Sequence, residues 1–169
     1  SSFSMIVLEK NLSQPYKMID IVTTPDGSPV AMVHCNNCTS DINDWVDIFK
    51  QFGDLMGMKF DMNELYTKIF SVALDGEANC GGLLSYNYIS GEPVTDFEEG
   101  RPLFVRAEND NFSLANFMRA QLYAAIGVLK IGNDVLFKDE KVNVDRITGH
   151  GGYFKTKGVT FSTNSVLTR

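Results

Sequence analysis

The sequence predicts one α/β domain in which a mixed sheet is flanked by helices. Two patterns indicate this. Short runs rich in β-branched and other apolar residues are each bounded by turn residues, and three longer stretches repeat apolar residues at steps of three and four. The chain has 169 residues, which is enough for one domain with an apolar core. No internal repeat, linker or low-complexity tract divides it, so we expect residues 1–169 to form a single domain.

The predicted strands are residues 3–8, 19–22, 30–34, 80–86 and 142–147. The second and third of these are separated by Thr24-Pro25-Asp26-Gly27-Ser28-Pro29, in which proline fixes φ and glycine is free to take a positive φ. This arrangement predicts a strand, a turn and a strand. Residues 103–105 are apolar but too few for the pattern to assign them.

The predicted helices are residues 41–56, 62–72 and 114–129. Ser40 and Ser113 precede the first and third of them and are predicted to be their N-caps. Gly53 weakens the last turns of the first helix. The third helix carries several small residues, which would permit close packing against a neighbouring element.

The charge of the chain argues against two classes of partner. Fifteen Lys and Arg against twenty-one Asp and Glu give a net charge of −6. Nucleic acids and anionic membranes both favour clustered basic residues, so neither is the expected main partner. No apolar run approaches the ~20 residues of a membrane-spanning helix, and the first eight residues lack the pattern of a secretory signal. We therefore expect a cytoplasmic protein.

The three cysteines are the first candidate functional residues. Cys35 and Cys38 form a C-x-x-C pair, Cys80 stands apart, and an odd number of cysteines fits a reducing compartment. A zinc site would need a second paired motif, which the sequence lacks, so no metal site is predicted. The favoured interpretation is buried, inert thiols. The alternative is a redox pair between a strand and a helix.

A glycine-rich turn is the second candidate. Thr148-Gly149-His150-Gly151-Gly152 follows a predicted strand, and closely spaced glycines allow backbone to approach a ligand. The spacing fits neither a P-loop nor a dinucleotide fingerprint, so a simple tight turn is the alternative. His150 is interpreted as a loop histidine rather than as a base or a ligand, because the sequence around it contains no nucleophile or metal-binding partner.

The segment before the first helix is the third candidate. Residues 36–40 would place backbone N–H groups and the hydroxyls of Thr39 and Ser40 at a helix N-terminus, which favours anions. The alternative is that Ser40 acts only as a cap. The nearby Asp41, Asp44 and Asp47 are interpreted as a solvated helix face.

Three blocks of the chain together resemble the C-terminal half of the FGGY family of carbohydrate kinases, the group that includes xylulose, glycerol and gluconate kinases. The first block, residues 83–93, is similar to the family's apolar run that ends in a Ser-Gly-Glu loop. The second, residues 116–120, resembles the helix with an Arg-Ala pair in the family's second signature region. The third, residues 144–152, resembles the strand and Gly-Gly turn that hold adenosine in those kinases. Order and spacing agree over nearly the whole chain.

The resemblance implies a ribonuclease-H-like fold of the actin-like ATPase type, and a function in transferring phosphate from ATP to a sugar or polyol hydroxyl. It implies ATP with Mg²⁺ as cofactors and the N-terminal half of the parent kinase as a partner, and it leaves a homodimer open. The positions that it places against the nucleotide are Ser1, Thr39, Ser40, Asp44, Gly151, Gly152 and Thr156.

The sequence departs from the family pattern in three places. Pro93 stands where the family has an arginine, a Gly-Thr phosphate loop is missing before residue 3, and the chain after Thr156 lacks a further helix and strand. The family's catalytic aspartate lies in the N-terminal half, so no catalytic residue is assigned here. We therefore expect a fragment that is inactive alone. A non-catalytic binding or regulatory module of the same fold is the alternative.

Overall fold

The first three strands form one antiparallel sheet in the computed structural model, which describes residues 2–155. Strands β1 (Ser2–Val7), β2 (Asp20–Thr23) and β3 (Pro29–Cys35) are arranged in the order β1-β3-β2. Met5 of β1 is paired with Met32 of β3, and the 24–28 turn joins β2 to β3. The predicted strand, turn and strand are thus confirmed, because alternating apolar residues and turn chemistry act locally.

Three helices complete the framework: α1 (Ser40–Leu55), α2 (Met62–Val72) and α3 (Leu114–Asp134). The Ser113 Oγ accepts a hydrogen bond from the Asn116 N–H at 3.2 Å, which confirms this predicted N-cap. The predicted cap at Ser40 is wrong. Ser40 is the first helical residue, and Thr39 occupies the capping position with helix-like φ and ψ and no capping hydrogen bond from its side chain.

Helix α3 connects two apolar clusters. The first joins α1 and α2 to the first half of α3 and includes Ile42, Val46, Leu65, Ile69, Met118 and Leu122. The second joins β3 to the second half of α3 and includes Ala31, Val33, Val128 and Leu129. At Gly132 the helix lies so close to Val33 that a Cβ would overlap the valine methyl groups. This close approach occurs beyond the predicted end of the helix, whereas Gly127, one of the small residues predicted to permit close packing, faces open space.

A second sheet contains only two short antiparallel strands, β4 (Leu84–Tyr86) and β5 (Leu103–Val105). The described strands are therefore divided over two antiparallel sheets rather than one mixed sheet. The predicted strand over residues 80–86 begins late, because Cys80, Gly81 and Gly82 have positive φ angles and form a 3₁₀ turn. Positive φ is incompatible with extended backbone.

The strand predicted over residues 142–147 is wrong. These residues have no strand partner among residues 2–155, and most of their side chains are exposed. An extended run with β-branched residues forms a strand only when a neighbouring strand accepts its hydrogen bonds. Within the same described residues, no helix is long and apolar enough to span a membrane.

Candidate functional site

The loop between β3 and α1 is fixed by a buried acid from a distant part of the chain. Glu92 is fully buried, and its Oε2 accepts hydrogen bonds from the N–H groups of Asn36 at 3.0 Å and Asn37 at 3.1 Å. A carboxyl that accepts several N–H bonds holds a turn in one conformation. The Glu92 side chain thus determines the path of the chain as it enters α1.

The side chain of Asn37 forms the second half of this connection. Its Oδ1 accepts hydrogen bonds from the N–H groups of Ile89 at 3.0 Å and Ser90 at 2.9 Å, and its Nδ2 donates to the Ser90 carbonyl at 3.0 Å. Asn87 adds a bond from its Nδ2 to the Cys38 carbonyl at 3.0 Å. Residues 36–38 and 87–92 are therefore held together as one polar unit.

Sequence patterns did not single out Asn37, Asn87 or Glu92 as a unit. Each has at most 3% of its surface exposed, which is unusual for these residue types. The one available signal was the Ser90-Gly91-Glu92 loop, which carries part of the family resemblance. Nothing in the spacing indicates that this loop faces residues 36–38, because more than fifty residues separate them.

Three predicted nucleotide-binding residues lie at the start of α1. Thr39 is half-buried, whereas Ser40 and Asp44 are exposed and, four residues apart, share one face of the helix. Asp41 lies beside them. Burial raises the pKa of its carboxyl, and the Asp44 charge raises it further, while a hydrogen bond from Trp45 acts in the opposite direction. The start of α1 thus offers hydroxyls and N–H groups beside two acids.

The glycine turn is attached to the helices by the residue that follows it. The Tyr153 hydroxyl donates to the Leu122 carbonyl of α3 at 2.8 Å, and its ring packs on Phe70 of α2. Burial raises the pKa of Tyr153, and the proximity of Cys38 adds to this effect. Tyr153 therefore attaches the turn to α2 and α3.

Gly151 and Gly152 themselves are exposed but differ in backbone conformation. Gly151 has φ of +101°, which side chains rarely adopt, whereas Gly152 does not have a positive φ. A Cβ on Gly152 would meet no heavy atom within 4 Å. The fold thus needs glycine at 151 but not at 152. Ser1 and Thr156, the remaining predicted contacts, lie outside the described residues.

A depression of about 690 Å³ lies beside the polar unit. Asn36, Ser90 and Gly91 are among its lining residues, and so are Lys17 and Asp96, which form an ion pair. Both charged side chains are largely exposed, so this pair contributes little to stability. Within residues 2–155, no group of three or more His, Cys, Asp or Glu side chains is arranged to hold a metal ion.

Comparison with known proteins decides the family. Residues 1–161 match the family model for the FGGY family of carbohydrate kinases, C-terminal domain. The chain belongs to the FGGY family. This confirms the family predicted from the three sequence blocks. A search among curated proteins finds no match.

Three xylulose kinases are among the solved structures that are similar to this FGGY chain. The enzyme from Rhodospirillum rubrum superposes with a TM-score of 0.75 over 99% of this chain, at 15% identity. The enzymes from Bifidobacterium adolescentis and Lactobacillus acidophilus each superpose over 93%, with TM-scores of 0.64 and 0.57 at 14% and 16% identity. The predicted ribonuclease-H-like, actin-like ATPase fold is thus confirmed, as a partial domain.

The FGGY chain spans only part of these relatives. It corresponds to 31%, 28% and 29% of the length of the three xylulose kinases. The family and the fold are therefore established, and the chain is similar to one portion of a sugar kinase.

Proposed function

We propose that this chain forms the nucleotide-side wall of a cytoplasmic ATP-dependent kinase for a sugar or polyol, with the N-terminal half of the parent enzyme as its partner. Membership of the FGGY family supports the reaction class. The observation that carries the nucleotide assignment is the exposed glycine turn, in which Gly152 leaves open space and Tyr153 attaches the turn to α3. A flat purine or ribose can approach such a backbone closely.

The start of α1 supplies the second part of the proposed site. The N–H groups and hydroxyls of Thr39 and Ser40 would bind phosphate oxygens, because a helix N-terminus favours negative charge. Asp44, on the same face as Ser40, would contact the ribose or the phosphates. Mg²⁺ bound to the ATP would offset the charge that Asp41 and Asp44 bring to this end of the helix. Ser1 and Thr156 extend the proposed contacts at either end.

Phosphoryl transfer requires a held acceptor hydroxyl and an aligned phosphate donor. This chain is proposed to position the donor, and we assign no residue in it to proton transfer. The purified 169-residue chain is therefore expected to show no ATP-dependent phosphorylation of xylulose, glycerol or gluconate. Product formation measured with radiolabelled ATP checks this, and turnover by a preparation free of other kinases would contradict it.

Gly152→Val distinguishes a nucleotide-binding turn from a structural turn. A Cβ at this position meets no heavy atom within 4 Å, so we expect the melting temperature to stay unchanged. It would occupy the space proposed for adenosine, and the apparent KM for ATP of the parent kinase should rise about tenfold, which corresponds to about 1.4 kcal/mol. The KM for the sugar should stay constant.

The matched control is Gly127→Ala, at a position on α3 that is also open. It should leave both KM values unchanged. A Gly152→Val enzyme with a lower melting temperature and an unchanged KM for ATP would show that the turn is only structural.

A further inference from the structure

The two sulfur atoms of the C-x-x-C pair are in contact. Cys35 is the last residue of β3, Cys38 precedes α1 by two residues, and their Sγ atoms are 3.0 Å apart. Both are free thiols. The proposed nucleotide site uses neither of them, so their proximity has no role in that function.

The polar unit holds the two cysteines in this arrangement. Glu92 binds the N–H groups of Asn36 and Asn37, which are the two residues between the cysteines, and Asn87 binds the Cys38 carbonyl. A disulfide bond is about 2.05 Å long, so the sulfur atoms need to approach by only about 1 Å. The loop therefore already holds the two sulfur atoms close to bonding distance.

We propose that Cys35 and Cys38 are a modification site, which a hydroperoxide such as hydrogen peroxide converts into a reversible disulfide. A small oxidant suits the site because Cys38 is only 4% exposed and Cys35 is fully buried. In a reducing compartment, disulfides of this kind are transient and report oxidation.

The reaction takes place in two balanced steps. The Cys38 thiolate attacks one peroxide oxygen, the O–O bond breaks, and the departing hydroxide takes up a proton to become water, leaving a sulfenic acid. The Cys35 sulfur then attacks the Cys38 sulfur, the S–O bond breaks, and a second water leaves. The two thiols lose two electrons and two protons in total, and the peroxide is reduced to two water molecules. A dithiol reductant reverses the change by thiol–disulfide exchange.

The environment distinguishes Cys38 from the third cysteine. The contact with the Cys35 sulfur lowers the pKa of Cys38, although burial acts against it. Burial raises the pKa of Cys80, which belongs to the apolar cluster of α1, α2 and α3, whereas Cys35 and Cys38 belong to the other cluster. Because the thiolate is the reactive species, Cys80 is an internal control of similar burial.

The test uses the 169-residue chain, first reduced and then exposed to hydrogen peroxide. The protein is unfolded in N-ethylmaleimide and examined by peptide mass spectrometry. We expect the peptide with Cys35 and Cys38 to lose the mass of two hydrogen atoms and to escape alkylation, while Cys80 is alkylated. Dithiothreitol should restore alkylation of the pair. Alkylation of all three cysteines after peroxide, or a disulfide that includes Cys80, would overturn the proposal.

Two variants assign the roles of the two thiols. With Cys35→Ser the sulfenic acid has no second thiol, so dimedone should label Cys38. With Cys80→Ser the disulfide should form as in the unchanged chain. Circular dichroism checks that each variant is folded, and the result for the unchanged chain does not depend on them. Labelling of Cys80 but not of Cys38 in the Cys35→Ser chain would contradict the proposed attack by Cys38.

Discussion

Glu92→Ala is expected to lower the free energy of unfolding by about 4 kcal/mol. Glu92 is fully buried and binds the N–H groups of Asn36 and Asn37 and the Nδ2 of Asn37. Alanine would leave these donors without an acceptor and would also leave a cavity. Urea denaturation of the 169-residue chain, followed by circular dichroism, measures the loss.

Two further variants distinguish the contribution of the Glu92 hydrogen bonds to stability from the effect of removing any acid in this loop. Glu92→Gln keeps one acceptor oxygen in the same shape and should cost less than the alanine variant. Glu99→Ala removes an exposed acid seven residues away in the sequence and should change stability by no more than about 0.5 kcal/mol. Equal losses for Glu92→Ala and Glu99→Ala would contradict the role assigned to Glu92.

Two glycines of α3 are expected to respond to alanine with opposite signs. At Gly132 a Cβ would lie 2.7 Å from Val33 Cγ2 and closer still to Cγ1, and Val33 is fully buried in β3. Gly132→Ala must therefore separate the helix from the sheet or distort Val33. We expect a loss of about 2 kcal/mol, again measured by urea denaturation.

Gly127 lies five residues earlier on the same helix, and a Cβ there would meet no heavy atom within 4 Å. Alanine has the higher helix propensity, so Gly127→Ala should add about 0.8 kcal/mol to the free energy of unfolding. Gly132→Ala should gain the same propensity but lose more through the overlap. If both variants were stabilising, α3 would not be packed on β3 as closely as described.

The sequence by itself determined the features that depend on near neighbours. The three helices follow from apolar residues at steps of three and four, and the Ser113 cap follows from a hydroxyl that reaches a backbone N–H three residues away. The β2–β3 connection follows from the turn residues 24–28. The family was also accessible, because its three blocks are continuous stretches of sequence that match over residues 1–161.

Only the tertiary structure decided the features that depend on distant partners. Residues 142–147 have the composition of a strand, but extended backbone needs a neighbour to accept its hydrogen bonds, and no described strand offers one. In the sequence Glu92 has the pattern of an exposed loop residue. Only the fold shows that its carboxylate binds the N–H groups of Asn36 and Asn37. The C-x-x-C spacing allows two thiols to meet, but only this anchored loop places the sulfur atoms 3.0 Å apart. Local periodicity determines the helices and strands. Contacts between residues about fifty positions apart determine the site, because packing, and not spacing along the sequence, sets the distance between such residues.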